Sequence, residues 1–368
     1  MRSLRLESMV TADQVVELSL LDADVGEPEP EEVVVRVEAA PINPSDLGAM
    51  FAGADVGQAA RRDGGEVTAL PLGDGAMRAA AARIGQPLPV GNEGAGTVVA
   101  AGSDAQELIG RVVAVAGGAM YSQYRRVPVA ACLPLPDGTP AEAAAASFVN
   151  PMTALAMLET MRAEGHTAIV HTAAASALGQ MLNRLCISEQ VALVNIVRSA
   201  AQRELLEAAG AAHVCDSSSD TFTDELTAAI RETGATLAFD AIGGGPLASR
   251  TLTCMERVLS ADAGFQRYGS TVHKQVYIYG SLDAGPTTLN RSYGMAWSVG
   301  GWLLMPTLAK LGPERVARMR AQAAEGLTTI FATTFSDRVT LAEALDPDRI
   351  AAYGRPSTGT KFLITPEH

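Results

Sequence analysis

Cysteine, positive charge and long apolar runs are all scarce in this sequence. The cysteines are Cys132, Cys186, Cys215 and Cys254. They lie far apart without a C-x-x-C pair, which argues against a disulfide framework or a cysteine metal site and favours small buried side chains in a reducing compartment. The net charge of −13 argues against a nucleic acid or anionic membrane partner. No apolar stretch approaches the ~20 residues of a transmembrane helix and no signal peptide is evident, so we expect a cytoplasmic protein.

Histidine is also sparse, and its spacing excludes the common metal and triad patterns. The five histidines show no such spacing, so we expect no metal site. His171 ends an apolar run and is interpreted as a packing residue or a backbone partner, not as a general base. The chain does have length and apolar content: 368 residues, 48% of them hydrophobic, are enough for two domains with substantial cores.

The segment from Thr167 to Arg203 organises the rest of the chain. A short apolar run, a turn of small residues, a helical apolar pattern and a second apolar run follow one another. This strand–turn–helix–strand pattern predicts a turn that faces a dinucleotide pyrophosphate. The glycines of the G-x-G-x-x-G fingerprint are partly replaced by Ala and Ser, which still let backbone N–H groups approach a phosphate. The predicted phosphate-binding residues are Ala174, Ser176, Ala177, Leu178 and Gly179.

The end of the second apolar run predicts which dinucleotide is bound. A site for NAD places Asp or Glu about 20 residues after the glycine turn. This chain has Arg198 and Ser199 there, with Arg203 one helical turn further on. A guanidinium group can hold a 2′-phosphate through forked hydrogen bonds, so we predict NADPH as the cofactor. The alternative is that Arg198 is a solvated residue at the start of a surface helix.

The segments on the two sides of this unit differ in kind. Short strands with Gly and Pro turns precede it, as in a compact β-barrel-like domain. Residues 52–90 are interpreted as a long insertion or lid, helical around 76–84, with disorder as the alternative. After Arg203, helices and strands alternate as far as Gln275–Ser281, which predicts a doubly wound parallel sheet. A final strand at 361–364 should return to the first domain, because an isolated strand needs a partner sheet.

Six short motifs occur in the order seen in the medium-chain dehydrogenase/reductase superfamily. They are INPSD (42–46), GNEGAGTV (91–98), NPMTAL (150–155), AAASALG (173–179), NIVR (195–198) and GTKFLI (359–364). The closest resemblance is to the zinc-free branch, the NADPH:quinone oxidoreductases and 2-enoyl thioester reductases. The resemblance implies an α/β fold, a Rossmann doubly wound parallel sheet plus a GroES-like β-barrel domain built from both chain ends. The implied limits are 149–287 for the NADPH-binding domain, and 1–148 with 288–368 for the GroES-like catalytic domain, which contains the 52–90 insertion.

Positions that carry zinc ligands in relatives hold amides here. Asn43, Asn92 and Asn150 occupy them, although the neighbouring Glu93 is retained. Neutral amide oxygens are poor zinc ligands, so the expected enzyme is zinc-independent. Without a Lewis acid, the chemistry implied by the resemblance is hydride transfer from NADPH to a quinone or an activated C=C bond.

The resemblance also implies residues near the nicotinamide. Asn43 and Thr153 are the candidate catalytic orienting residues, although Thr153 could instead serve as a helix-start residue. Enoyl thioester reductases present a Tyr shortly after the first motif, where this chain has Met50–Gly53. Tyr121 is therefore the candidate catalytic donor, with Tyr124 as a second possibility and a structural strand role as the alternative for both. The other implied cofactor contacts are Ile242, Tyr279, Gly280, Ser281 and Lys361, and for Tyr279 buried sheet packing is equally possible.

Three functions are compatible with these patterns. The first is a zinc-independent NADPH-dependent oxidoreductase of quinones or α,β-unsaturated carbonyl compounds. The second is a 2-enoyl thioester reductase, and the third is a nucleotide-binding structural or regulatory protein without efficient turnover, since fold does not fix function. The expected partner is a small-molecule substrate. The resemblance implies a homodimer that pairs through the edge strand of the nucleotide-binding sheet, taken as Gln275–Ser281.

Overall fold

The computed structural model of the chain describes residues 1–261, 264–355 and 358–367. The chain divides into two compact units, Met1–Val149 with Arg320–His368, and Asn150–Met319. The first unit is therefore built from both chain ends. A domain limit at 287, as predicted, would leave out a strand at Trp297–Gly301 that pairs with the sheet of the second unit.

The helices and strands have the following limits. The strands are β1 (Arg2–Val10), β2 (Val15–Asp24), β3 (Glu32–Pro41), β4 (Ala60–Arg62), β5 (Val67–Pro71), β6 (Leu88–Pro89), β7 (Glu93–Ala101), β8 (Val112–Ala116), β9 (Tyr124–Pro128), β10 (Cys132–Pro134), β11 (Ala168–His171), β12 (Ala192–Val197), β13 (His213–Asp216), β14 (Leu237–Asp240), β15 (Gly243–Gly245), β16 (Lys274–Ile278), β17 (Asp283–Thr287), β18 (Trp297–Gly301), β19 (Asp337–Val339) and β20 (Phe362–Ile364). The α-helices are α1 (Pro44–Phe51), α2 (Asp74–Ala79), α3 (Ala141–Ala144), α4 (Val149–Ala163), α5 (Ala177–Ser188), α6 (Ala200–Ala208), α7 (Phe222–Thr233), α8 (Leu247–Leu259), α9 (Leu304–Leu311), α10 (Pro313–Glu325) and α11 (Pro347–Tyr353). Short 3-10 helices lie at Val56–Gln58, Asp63–Gly65, Ala81–Arg83, Gln106–Leu108, Val129–Ala131 and Glu343–Leu345.

The first unit contains two mainly antiparallel sheets. One has the order β4-β5-β2-β1-β6, and the other has the order β10-β8-β7-β3-β20-β19, with β9 also paired to β3. The apolar run of β3 supplies Val33, Val35 and Val37 to the buried core of this unit. Residues 52–90, expected as an insertion or lid, contribute β4, β5 and β6 to the first sheet. Their predicted helical part is shorter than expected, with α2 and the 3-10 helix Ala81–Arg83 in its place.

The predicted return of the tail to the first unit is confirmed. β20 pairs antiparallel with β3, placing Leu363 opposite Pro41 and Ile364 opposite Ala40. On its other side β20 pairs parallel with β19, which places Asp337 opposite Phe362. A parallel ladder between β19 and β20 thus fixes where the tail becomes extended.

The second unit contains the predicted doubly wound parallel sheet. Its strand order is β13-β12-β11-β14-β16-β18. Numbered within this sheet alone, since β15 and β17 pair with each other in a separate two-stranded sheet, the order is 3-2-1-4-5-6. This is the order of a dinucleotide-binding sheet, and it reverses between β11 and β14. The α/β fold class is therefore confirmed. Gln275–Ser281 does not form the sheet edge, because β16 pairs with β14 on one side and with β18 on the other. Among the described residues, no helix is long and apolar enough to cross a membrane.

Candidate functional site

The small-residue turn after β11 leads directly into α5. Ser176 is the N-cap of α5, and its Oγ accepts a hydrogen bond from the Gly179 N–H at 3.1 Å. The first backbone N–H groups of a helix lack intrahelical acceptors. Among the described residues, those of Ala177 and Leu178 have no acceptor. Two aligned donors at the positive end of a helix dipole could hold a phosphate.

Gly179 allows α5 to pack closely on the turn. A Cβ atom at this position would lie 2.2 Å from the carbonyl oxygen of Ala174, which is well inside van der Waals contact. The last glycine of the dinucleotide fingerprint has this packing role. The retained glycine is therefore the fingerprint position that no other residue can fill, whereas Ala174 and Ser176 fit at the other two.

The three polar residues predicted at the end of β12 have different surroundings. Arg198 is exposed and forms no ion pair within the described part of the chain. Ser199 caps α6, and its hydroxyl oxygen accepts from the N–H of Gln202 at 3.4 Å. Arg203 forms an ion pair with Glu225, which raises the pKa of the Arg203 guanidinium. Of the two guanidinium groups, only that of Arg198 is available to a 2′-phosphate without breaking an existing pair.

The reversal point of the sheet is fixed by a buried pair across the ends of β11 and β14. The Thr172 hydroxyl donates to Asp240 Oδ1 at 2.8 Å, and the same carboxylate oxygen accepts from the N–H of Ile242 at 2.9 Å. Gly280 packs against this turn, since a Cβ there would lie 2.6 Å from the carbonyl oxygen of Ala241. Ile242 and Gly280 thus lie at the carboxyl ends of the strands, where ligands of such sheets bind. Ser281 follows Gly280 and is exposed.

Tyr279, which directly follows β16, contacts a buried histidine. Its hydroxyl lies 2.8 Å from Nε2 of His171, and the two rings stack with centroids 5.8 Å apart. His171 is fully buried, whereas Tyr279 is partly exposed. Burial lowers the pKa of His171 to about 3, so its imidazole is neutral at pH 7. The sequence interpretation of His171 as a packing residue thus misses a specific side-chain contact across the sheet.

In the first unit, a chain of hydrogen bonds connects three buried polar side chains. The Lys361 ammonium donates to Asn43 Oδ1 at 2.7 Å, and Asn43 Nδ2 donates to Glu93 Oε1 at 2.9 Å. The other oxygen of Glu93 accepts from the backbone N–H groups of Phe148 and Val149 at 2.8 and 2.9 Å. Asn43 is therefore held in one orientation, with its amide group between a cation and an anion.

Among these hydrogen-bonded side chains, burial and charge attraction shift the pKa values of Glu93 and Lys361 in opposite directions. Burial raises the pKa of Glu93, while the Lys361 charge and the hydrogen bonds lower it. Burial likewise lowers the pKa of Lys361, while Glu93 and Asp46 raise it. Lys361 was expected to contact a cofactor, and its described side-chain partner is Asn43. An ammonium group has three donors, so this contact leaves donors for a ligand.

Two of the amides at the positions that the resemblance aligns with zinc ligands, those of Asn43 and Asn92, are engaged in other hydrogen bonds. The amide oxygen of Asn43 already accepts from the Lys361 ammonium, and a second cation there would meet like charge. The Asn92 amide nitrogen donates to the Ser45 hydroxyl at 3.0 Å. Among the described residues, no group of three or more His, Cys, Asp or Glu side chains is arranged to hold a metal ion.

The remaining two candidate catalytic residues are buried. Tyr121 is fully buried and its hydroxyl donates to the carbonyl oxygen of Pro41 at 3.0 Å, which corresponds to the structural role left open for it. Burial also raises the pKa of Tyr121. Thr153 lies in the buried first half of α4, and Pro151 lies two residues before it in the same helix. Sequence reasoning missed Asp46, although its spacing of three residues from Asn43 is that of a capping box.

A domain family and several curated proteins resemble parts of this chain. The alcohol dehydrogenase GroES-like domain matches residues 29–137. The synaptic vesicle membrane protein VAT-1 homolog of Rattus norvegicus is 32% identical over 169 residues, which cover 44% of this chain and 41% of that protein. A protein of Schizosaccharomyces pombe named as a probable quinone oxidoreductase is 29% identical over 207 residues, which cover 54% of this chain and 58% of that protein. The chain thus spans about half the length of the curated relatives it matches.

Solved structures match over nearly the full chain. A protein of Mesorhizobium loti described as a candidate NADPH:quinone reductase matches with a TM-score of 0.72 and 26% identity, covering 99% of this chain and 98% of that chain. The quinone oxidoreductase of Escherichia coli complexed with NADPH matches with a TM-score of 0.68 and 18% identity, covering 99% and 100% of the two chains. A mutant form of enoyl thioester reductase from Candida tropicalis matches with a TM-score of 0.68 and 19% identity over the same shares. The fold predicted from the resemblance is therefore confirmed.

Proposed function

We propose that this chain, which has the GroES-like domain and the fold of the medium-chain dehydrogenase/reductase superfamily, is an NADPH-dependent oxidoreductase. Its proposed acceptors are quinones or α,β-unsaturated carbonyl compounds. The observation that carries the proposal is the dinucleotide-binding strand order, with unpaired N–H groups at the start of α5 and an exposed Arg198 at the end of β12. The NADPH:quinone reductase relatives agree with this class of enzyme and with NADPH as the cofactor.

The residues of the second unit fit NADPH in distinct ways. The N–H groups of Ala177 and Leu178 would hold the pyrophosphate, and the close packing at Gly179 keeps those donors in place. The Arg198 guanidinium, with Ser199 beside it, would bind the 2′-phosphate through charge-assisted hydrogen bonds. When bound, NADPH supplies a hydride to the acceptor.

Zinc independence is part of the proposal. It rests on the amide side chains at the expected ligand positions and on the hydrogen bond from Lys361 to Asn43. Neutral amides are poor ligands for the borderline-soft Zn²⁺ ion. The amide oxygen of Asn43 also already accepts a hydrogen bond from the Lys361 ammonium. Asn43 would instead serve as an orienting residue, as expected from the sequence, because both ends of its amide are fixed.

The enoyl thioester reductase alternative is less favoured by the described side chains. The Tyr that such enzymes present after the first motif is replaced here by Met50 and Phe51. Both are buried in the core of the first unit and offer no proton donor. The hydroquinone anion formed by hydride transfer to a quinone can take its proton from water, so quinone reduction does not need this residue. The expected cytoplasmic location stays a prediction.

Cofactor preference tests the proposal. We expect NADPH to bind at least about tenfold more tightly than NADH, or about 1.4 kcal/mol. Arg198→Ala should abolish this margin because it removes the unpaired guanidinium, whereas Arg203→Ala, the matched control, should keep most of it. Fluorescence titration of the three proteins with both nucleotides measures these affinities, and a quinone and enone screen follows.

The possible results separate the hypotheses. Tight NADPH binding without turnover of any quinone or enone would support the nucleotide-binding protein without efficient chemistry. Failure of both nucleotides to bind would remove the oxidoreductase proposal. A larger loss of preference in Arg203→Ala than in Arg198→Ala would show that the 2′-phosphate is held after rearrangement of the ion pair with Glu225.

A further inference from the structure

The contact between His171 and Tyr279 contains a polar atom without a partner. Nε2 of His171 lies 2.8 Å from the Tyr279 hydroxyl, but the buried Nδ1 has no hydrogen-bond partner among the described residues. A neutral imidazole carries one proton, on either nitrogen. The unpartnered Nδ1 therefore helps to decide whether His171 Nε2 or the Tyr279 hydroxyl is the donor in the hydrogen bond between them.

The two tautomers differ in the group that they leave unsatisfied. If Nδ1 carried the proton, a buried N–H donor would have no acceptor, and such orphaned donors are rare in proteins. If Nε2 carries it, Nδ1 is an unpaired acceptor, and the donor left without an acceptor among the described residues is the hydroxyl of Tyr279, a partly exposed residue, instead of an N–H group of the fully buried His171. The second arrangement is favoured, so Nε2–H donates to the Tyr279 oxygen. The hydroxyl proton of Tyr279 is then free to be donated elsewhere, since no other acceptor for it lies within the described residues.

The position of Tyr279 in the sheet indicates what it meets. The first three strands of the 3-2-1-4-5-6 order form one mononucleotide-binding half and the last three form the other. Arg198 follows β12 in the first half, which suits the adenosine 2′-phosphate. Tyr279, a partly exposed residue, follows β16 in the second half, which leaves the nicotinamide end for it.

We propose that the Tyr279 hydroxyl donates a hydrogen bond to a carbonyl oxygen bound at the nicotinamide end, and that His171 is the positioning residue that frees this donor. The proposal rests on the proposed function. Two carbonyl oxygens share this chemistry, that of the acceptor and that of the nicotinamide carboxamide. If the acceptor is bound there, its conjugated system gains the hydride that NADPH supplies, and an electron pair moves onto its carbonyl oxygen. The Tyr279 hydroxyl stabilises the resulting negative charge, and water then supplies the proton to the reduced acceptor.

Tyr279→Phe is the principal test, and Tyr277→Phe is its matched control. Both variants remove one hydroxyl from the same strand region, but the Tyr277 hydroxyl donates to Glu164 at 2.7 Å and not to His171. For an acceptor oxygen we expect kcat/KM to fall about 100-fold in Tyr279→Phe with unchanged NADPH affinity. For the carboxamide oxygen we expect NADPH affinity to fall together with turnover. Tyr277→Phe should stay near wild type in both measurements.

His171 is tested by two substitutions with opposite expectations. His171→Gln keeps an N–H donor near the position of Nε2 and should retain most of the activity. His171→Phe removes the donor and should approach the loss seen in Tyr279→Phe. Long-range ¹H–¹⁵N spectra of the wild-type imidazole should show a protonated Nε2 and an unprotonated Nδ1, a readout that does not depend on turnover.

The outcomes keep this inference separate from the proposed function. If Tyr279→Phe had the same turnover and the same NADPH affinity as the wild type, the inference would be overturned. The oxidoreductase proposal would still stand. A protonated Nδ1 would also overturn it, because the Tyr279 proton would then be committed to His171. If the wild type reduced no quinone or enone and bound no NADPH, both proposals would fail together.

Discussion

At the scale of single residues, Asp46 connects two segments that are distant in sequence. Its carboxylate oxygens accept from the backbone N–H groups of Asn43 and Asn92, each at 2.8 Å. It is fully buried, and burial raises the pKa of Asp46 to about 6 in spite of these hydrogen bonds. The loop before α1 and the loop before β7 are thus joined by a carboxyl group that is costly to ionise.

The raised pKa of Asp46 predicts a pH dependence of stability. Because the folded pKa of about 6 exceeds the usual value of 3.8 for an Asp carboxyl, the contribution of Asp46 is fully present below about pH 4 and is lost as the pH rises through 6. The loss is on the order of 3 kcal/mol at 1.36 kcal/mol per pKa unit. Asp46→Asn cannot ionise, so the destabilisation that it causes should become smaller between pH 4.5 and pH 7.5.

Urea unfolding of the wild type and of Asp46→Asn across this pH range measures the difference. Asp55→Asn is a suitable control, because Asp55 is a solvent-exposed helix cap whose pKa is lowered by Gln58 and Gly57. For Asp55→Asn, the difference in unfolding free energy from the wild type should not become smaller as the pH rises. A constant difference between wild type and Asp46→Asn at all pH values would contradict the assignment of a raised pKa.

At the scale of secondary structure, the start of α5 depends on Gly179. Gly179→Ala should destabilise the second unit by about 1–3 kcal/mol through overpacking and weaken NADPH binding, because the added Cβ would collide with the backbone of Ala174. Gly48→Ala in α1 is the matched control, since a Cβ there meets no atom within 4 Å. That substitution should be neutral or stabilising by up to about 1 kcal/mol.

Thermal unfolding and NADPH titration of both variants test this prediction. Loss of NADPH affinity in Gly179→Ala, with an unchanged affinity in Gly48→Ala, would support a phosphate site at the turn. Wild-type behaviour of Gly179→Ala in both measurements would mean that α5 can shift away from the turn without consequence.

The sequence predicted the elements that depend on local patterns better than the contacts between residues that are far apart in the chain. The strand–turn–helix pattern around Gly179 is local, and small residues and apolar periodicity were enough to recognise it. Residues 52–90 were harder, because their strands are short and become ordered only by pairing with β2 and β1. The contacts of His171 with Tyr279 and of Lys361 with Asn43 join residues 108 and 318 positions apart, and no local pattern predicts them.

At the scale of the whole molecule, the corrected edge strand changes the expected dimer surface. β18 is the outer strand of the parallel sheet on this side, and Leu303 and Met305 just after it are 67% and 65% exposed. We propose that a homodimer pairs through β18 and covers these side chains. An unpaired strand edge next to exposed apolar residues is a natural site for pairing.

Light scattering on the purified protein tests this arrangement. We expect a dimer for the wild type and a shift towards monomer for the double variant Leu303→Glu, Met305→Glu, because two added charges per copy would oppose burial. Ile109→Glu, at an exposed apolar residue of the first unit, is the control and should stay dimeric. A monomeric wild type, or a double variant that remains fully dimeric, would contradict pairing at this surface.

The pairing of β20 with β3 has a consequence for the order in which the chain can fold during synthesis. β3 exists early on the ribosome, but its partner strand and the Lys361 side chain are added only after the second unit has been made. Throughout this interval the first unit has an unpaired edge at Ala40 and Pro41, and Glu93 lacks its counter-charge. A nascent chain paused before residue 361 should therefore hold a completed nucleotide-binding sheet beside an unfinished first unit, which is a natural substrate for chaperones.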